Sequence, residues 1–450
     1  MKSLPKSKIW LFAIGQLGWA MMSGLISNWL VYFYQPDETA IAAGQTLFVP
    51  QGRVILGLLT IIGCITAVGR IFDAVTDPLI ASLSDRSKSP KGRRIPFMKV
   101  ASIPLALSTV LVFCAPVGQI SSINTIWLFA FVMIYYLSIT AYCTPYNALI
   151  AELGHNQKER LDISTAISLT FIVGTAFAYV APMVWGALEP SMGRVPAMRV
   201  TFSVMAVFAV IFMQVPVWTI NEKEYVHTKP SEGNALSSLI KTFKNGDFRL
   251  FVGSDIFYWV GLTMFQTGLP FFVTSLLKLD ESMSTIYFVA MTALSLVFYL
   301  PVNILTRKLG KKKLVCTAFF IFAAAFFYTS RMGTFPGVSP TVQGFILVVV
   351  AAFPMAIFGI LPQAIVADVA ESEAVLTGEN REGMFYAART FAFKLGQSLA
   401  MLIFTALATV GTGSDGYRLV AMTSAALALI GGILLLFFNE KKINRIIIGK

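Results

Sequence analysis

Arg70, Asp73, Thr76 and Asp77 are the residues of this chain whose types and spacing offer the most chemistry. Three and four positions apart, they line one stripe of a helix that turns about 100° per residue, with Thr76 at its edge. The run that holds them, from about Val54 to Leu83, is apolar and long enough to cross a bilayer. Charges in such a place face a bundle interior or a watery cavity and mark the path of an ion or a substrate. Two carboxylates close together in low dielectric call for a cation, and Arg70 balances only part of their charge. An all-oxygen set suits a hard ion, and a buried carboxylate can carry a proton in its place. Na+, Li+ and H+ therefore all fit, with Asp73 and Asp77 as the direct ligands of a metal ion and Thr76 adding an uncharged oxygen. The competing reading is a structural Arg70–Asp73 pair, with Asp77 merely opening the turn before Pro78.

The rest of the chain is built to hold such a stripe in lipid. Of its 450 residues 56% are hydrophobic and 13% charged, and the mean hydropathy is +0.72. Those values describe an all-α polytopic membrane protein. Hydropathy predicts about twelve helices, near residues 9–34, 54–83, 97–116, 123–151, 163–188, 199–219, 249–277, 282–305, 313–330, 340–369, 384–410 and 418–438. The chain divides into a first half over residues 1–220, a polar linker over 221–248 with Pro230, Gly233 and Gly246, and a second half over 249–450.

The formal net charge of +12 does not point to nucleic acid. Of the 35 Lys and Arg, 26 fall on the termini and loops of one side, six on the opposite loops and three within helices. That asymmetry places both termini in the cytoplasm of a membrane-embedded chain. Cys64, Cys114, Cys143 and Cys316 sit in apolar runs without metal-ligand spacing and read as packing residues. His155 and His227 fall in loops, and no nucleophile, base and orienting group recur together, so an enzyme is not expected. No cleavable leader is apparent after Met1.

Other helices carry polar groups that could meet an ion or a solute. In the fourth, Pro145 removes a backbone donor beside Thr140, Tyr142, Thr144 and Asn147. Thr140 lies at about the depth of Asp73. The alternative for Thr140 and Thr144 is a hydroxyl bonded back to its own helix. The first helix carries Gly15, Gly18 and Gly24 as close-approach positions, Trp10 and Trp29 as interface anchors, and Trp19 near mid-membrane. In the seventh, Trp259 and Tyr258 are aromatic neighbours of Gln266, with Asp255 nearer the cytoplasm. Pro354 and Pro362 predict a broken tenth helix. Lys394 in the eleventh matches Asp73 in depth, and Arg389 lies closer to the cytoplasm, within reach of acids such as Glu371 or Glu382. Solute contacts are expected at Lys394, Trp19, Asn147, Tyr142 and Trp259, and a charge or gating network at Arg70, Asp85, Arg86 and Arg389.

The loop from Ser84 to Arg94, with its Asp85-Arg86 and Gly92-Arg93-Arg94, resembles the loop between the second and third helices of the major facilitator superfamily, and the basic stretch from Thr306 to Lys313 repeats it in the second half. The Asp73-x-x-x-Asp77-Pro78 motif, the stretch from Thr140 to Leu149 and Lys394 before Gly396 are similar to those of the glycoside-pentoside-hexuronide:cation symporters, whose melibiose carriers are best known. The resemblance implies a major facilitator fold of two six-helix halves with a solute site at mid-membrane. It implies a cation site of Asp73, Asp77, Thr76 and Thr140, and a substrate role for Lys394. The sugar site of the melibiose carriers does not carry over: Ala20 stands where they have an acid in the first helix, Cys143 and Asn147 where they have an acid and a tryptophan flanking the proline, and their fifth-helix arginine aligns near Ser168. The expected function is a monomeric, Na+- or H+-coupled importer of a sugar, glycoside or hexuronide in a bacterial inner membrane. It needs no cofactor beyond the coupling ion. A lysophospholipid or other amphipathic-solute carrier is the alternative, and a non-transporting membrane receptor a more distant one.

Overall fold

A computed structural model describes residues 4–90, 92–154, 157–226, 241–378 and 381–448. His155, His227, Pro230 and Gly233 lie outside the described residues. Twelve long helices are present among those described: α1 (Lys6–Tyr34), α2 (Ile61–Asp85), α3 (Ile95–Val112), α4 (Ser122–Leu153), α5 (Gln157–Met192), α6 (Arg194–Thr219), α7 (Gly246–Phe271), α8 (Ser282–Leu309), α9 (Lys311–Arg331), α10 (Pro340–Thr377), α11 (Glu382–Leu407) and α12 (Asp415–Leu436). Helices dominate because a backbone in hydrocarbon must satisfy its own N–H and C=O groups within each segment. Extended pairing among the described residues is confined to one bridge between Ile55 and Leu59. Eleven of the helices are long and apolar enough to cross a membrane. The exception is α2, in which every 18-residue stretch includes Arg70, Asp73 and Asp77.

The chain forms two compact units, residues 1–232 and 233–450. In the first, α1 packs on α5 and α6, α2 on α4, and α3 on α4 and α6. In the second, α7 packs on α11 and α12, α8 on α10, and α9 on α10 and α12. The pairings are the same in the same order, so the repeat suggested by the two basic loops extends to whole units. Gly15 and Gly18 of α1 lie against α6, and Gly24 lies against Ala178 of α5, as close-approach positions do. Of the expected linker, Glu222–Tyr225 forms a short helix, and α7 already begins at Gly246.

Three expectations are corrected. The second helix begins at Ile61 rather than near Val54, because Ile55 to Leu59 closes a tight turn and the Thr60 hydroxyl accepts the Gly63 N–H as an N-cap. The tenth helix runs unbroken from Pro340 to Thr377 with Pro354 and Pro362 inside it, since neighbouring helices let a membrane helix tolerate the lost donors. Trp29 is no interface anchor: it is fully buried, its indole donates to the Ala178 carbonyl at 2.7 Å, and it meets Trp185 edge-on at 4.9 Å.

Candidate functional site

The acidic stripe of α2 faces α4 in a repeating register. The two helices run parallel, and residues 67 apart in sequence meet on successive turns. Gly69 lies under the Tyr136 ring, where any Cβ would clash, so glycine lets the helices close at this level. One turn on, the Thr140 hydroxyl donates to Asp73 Oδ1 at 2.5 Å. Another turn on, the Thr144 hydroxyl donates to Asp77 Oδ1 at 3.1 Å. Four residues rise about 6 Å, so the two acid–hydroxyl pairs lie roughly that far apart along the seam. Pro78 does not open a turn after Asp77, for α2 continues through it to Asp85.

Asp73, Thr76 and Thr140 are buried, at 5%, 6% and 1% exposure, and Asp77 is half-buried. The Thr76 hydroxyl bonds back to the carbonyls of Phe72 and Asp73 at 2.9 and 3.1 Å and lies 3.5 Å from the Thr140 hydroxyl. Thr140 and Thr144 instead spend their protons on the carboxylates, which leaves the lone pairs of both hydroxyls available to an ion. Arg70 extends toward α1, donating to Ser27 Oγ at 3.1 Å and lying 5.4 Å from the centroid of the Tyr136 ring, within electrostatic reach of Asp73. One guanidinium and two carboxylates carry a formal charge of −1 together. The difference among these three side chains is the charge of one monovalent cation or one proton.

Thr144 is a member of this ladder that the sequence reading left among general polar candidates. Its signal was present: Thr140 and Thr144 are spaced by four, as Asp73 and Asp77 are, so two parallel helices in contact at one pair must also meet at the other.

At the end of the first unit that carries the basic loop, Asp85 pairs with Arg94 rather than with its neighbour Arg86, which is exposed and outside any ion pair among the described residues. Arg94 also reaches Glu152 at 2.9 Å and Ser84 Oγ at 2.6 Å. Glu222 accepts the N–H groups of Arg93, Arg94 and Ile95 at 2.7, 2.8 and 3.0 Å, satisfying donors that the start of α3 leaves unpaired. The second unit repeats the device: Glu440 accepts the N–H groups of Lys311 and Lys312 at 2.7 and 3.1 Å at the start of α9, and Lys311 pairs with Asp368 at 2.5 Å.

Arg389 pairs with neither Glu371 nor Glu382 but makes a two-pronged bond to Asp255, at 2.8 and 3.0 Å, with both residues buried. Tyr142 is removed from the solute contacts, because it is fully buried and donates to the Met213 carbonyl of α6 at 2.8 Å. Asn147 is exposed on α4. Trp19 on α1 lies 6.0 Å from Phe171 of α5, and Trp259 on α7 stacks 4.7 Å from Phe393 of α11, one residue before the half-buried Lys394. Ala20 is buried where α1 crosses Gly174, and Ser168 is exposed and bonds back to Ser164.

Comparison with known proteins places this geometry in context. The family described as MFS/sugar transport protein matches residues 11–437. The uncharacterized symporter YjmB of Bacillus subtilis is 28% identical over 389 residues, covering 83% of this chain and 80% of its own. A putative sulfoquinovose importer of Escherichia coli is 27% identical over 414 residues, 86% and 84% of the two chains. The sodium-dependent lysophosphatidylcholine symporter 1-A of Danio rerio is 34% identical over 115 residues, 24% of this chain and 21% of that one. Among solved structures, a D-xylose-proton symporter superposes with a TM-score of 0.68 at 15% identity, covering 97% of this chain and 98% of the other.

Proposed function

This chain belongs to the MFS/sugar transport protein family and is a multi-pass membrane protein with the major facilitator fold, and we propose that it is a cation-coupled symporter importing a sugar, glycoside or hexuronide. The observation that carries the proposal is the ladder of Asp73 and Asp77 against Thr140 and Thr144, which lines one seam with carboxylate and hydroxyl oxygens, the ligand set of a hard cation. Na+ is held by carboxylate and hydroxyl oxygens, or a proton takes its place on a carboxylate. Either removes the cost of bare charge in the seam and favours the solute-binding state. By linkage the solute raises cation affinity by the same factor. Alternating access then carries both across a bacterial inner membrane, with both termini in the cytoplasm and the chain working as a monomer. The relatives support this reading: one is named a putative sulfoquinovose importer, and another an uncharacterized symporter. No catalysis is assigned to the chain.

The second reading, a lysophospholipid carrier driven by the same ion site, is favoured by the local similarity to the sodium-dependent lysophosphatidylcholine symporter. Both readings share the ladder and differ in solute.

Binding of radioactive Na+ to the purified, solute-free protein across pH tests the ion site, with Asp73→Asn and Asp77→Asn beside the parent. Saturable binding by the parent, weakened at least about 100-fold in both variants, is the expected result. If the parent binds no Na+, proton release on adding solutes decides for H+; equal behaviour of parent and variants in both assays would overturn the symport reading.

A further inference from the structure

An open cleft of about 760 Å³ lies in the second unit, where the start of α7, the end of α10 and a C-terminal helix, α13 (Glu440–Ile448), come together. Its level follows from the helices around it. Asp368 of α10 pairs with Lys311, the first residue of α9, and the 21 residues of α9 span about 31 Å, close to the thickness of the hydrocarbon. Ser372 and Leu376, which line the cleft, lie about 6 and 12 Å beyond Asp368 along α10. The cleft therefore starts at the headgroups and opens to water, on the side that carries the basic loops.

Five charged side chains line it, and their pairing leaves two cations over. Asp247 accepts from Lys442 of α13 at 2.8 Å. Glu373 accepts from Asn245 at 2.8 Å and pairs with Arg381 at 3.2 Å. Lys244 and Arg249 are exposed and meet no acid among the described residues. Ser372 is only 6% exposed, and its hydroxyl makes no hydrogen bond among the described residues, whereas Thr377 nearby bonds back to the Glu373 carbonyl at 2.8 Å. Solvated cations on a positive membrane face need neither a concavity nor a buried hydroxyl beside them, and a buried polar group left without a partner has a use.

We infer that this cleft binds a phosphate-bearing anion, at a place separate from the ion ladder and the solute path. Its cytoplasmic address rests on the orientation read above. A phosphomonoester carries close to two negative charges at neutral pH, which matches the two cations left over. The Arg249 guanidinium is shaped to meet two phosphate oxygens at once, and the Ser372 hydroxyl has a proton to give a third. The volume exceeds that of phosphate alone and falls in the range of small-molecule sites, so Leu250, Leu376 and Ile446 are left to pack on the esterified organic group. A monocarboxylate leaves one cation unmatched. Two sources present this chemistry, a soluble phosphorylated metabolite and the headgroup of an acidic phospholipid.

The full chain in phosphatidylcholine nanodiscs is titrated with radioactive orthophosphate and with glycerol 3-phosphate, and its retention of phosphatidylglycerol in detergent is read by native mass spectrometry. Saturable binding of at least one of the three probes is expected. Lys244→Gln and Arg249→Gln should each weaken it about tenfold, and Lys308→Gln, at an exposed cation outside the cleft, should leave it unchanged. Thermal unfolding like the parent's shows that the variants fold. Binding of either soluble probe identifies the source as a metabolite; binding confined to phosphatidylglycerol identifies it as lipid. Absence of binding by all three, unchanged affinity in both cleft variants, or an equal loss in Lys308→Gln overturns the inference, because the cations then act only as diffuse surface charge. The Na+ measurement on Asp73→Asn keeps the two readings apart. Na+ binding that depends on Asp73 beside indifferent cleft variants sinks this inference alone; cleft-dependent phosphate binding beside an indifferent Asp73 sinks the ion site alone.

Discussion

The seam between α2 and α4 and the seam between α8 and α10 hold equivalent places in units whose helices pair alike, yet they are filled by opposite chemistry. The first carries Asp73 and Asp77 against Thr140 and Thr144. The second is aromatic, with Phe298 meeting Phe353 and Tyr287 meeting Phe345 at 5.4 and 5.3 Å, and α8 has no charged residue before Arg307. The second unit does bury charge, but on α7 and α11, where Asp255 is matched one-to-one by Arg389. The contrast separates two uses of buried charge. A carboxylate met by a two-pronged guanidinium is already neutralised and holds helices together, whereas two carboxylates met by hydroxyls are, on our proposal, ligands for a cation.

Three substitutions press on that contrast. The largest effect is expected in the second unit: Arg389→Ala leaves Asp255 buried and unpaired, at a cost of about 3–5 kcal/mol. Thermal unfolding in detergent checks this, and Arg389→Met combined with Asp255→Leu should recover most of the loss. Na+ affinity of whatever protein folds should be unaltered; a parallel loss of Na+ binding would mean that the pair belongs to the ion site and the contrast is false. Next, Thr140→Val and Thr144→Val keep side-chain shape and remove one oxygen each. Each is expected to weaken Na+ about tenfold, or roughly 1.4 kcal/mol, with Thr140→Ser close to the parent. If valine is harmless at both positions, the hydroxyls only hold the carboxylates. The smallest effect tests what the units share. Glu222→Gln and Glu440→Gln remove the carboxylate charge from the starts of α3 and α9, each expected to cost about 1 kcal/mol and to speed hydrogen exchange in the first turn of that helix without moving Na+ affinity.

Much of this was legible along the chain. The apolar runs lay where ten of the twelve helices lie to within a turn or two, because crossing a bilayer demands a length of apolar side chains that any stretch displays by itself. Departures came where a local signal was outvoted. Val54 to Leu59 is as apolar as the helix it precedes, and only the Thr60 cap marks the boundary. Pro354 and Pro362 would break a helix in water, but α10 runs through both.

What the sequence determined by itself is the inventory: twelve membrane helices, a basic side, two acids on one stripe of the second helix and hydroxyls at matching depth in the fourth. Periodicity and hydropathy are properties of one segment at a time, so no partner is needed to read them. What only the tertiary structure decided is who meets whom. Thr144 joins Asp77 while Tyr142, two residues earlier, turns to Met213; Arg389 finds Asp255 four helices back; Glu222 crosses to the start of α3. A pairing is a property of two segments in register, and the energy of a buried charge depends on the group opposite it, which no single stretch contains.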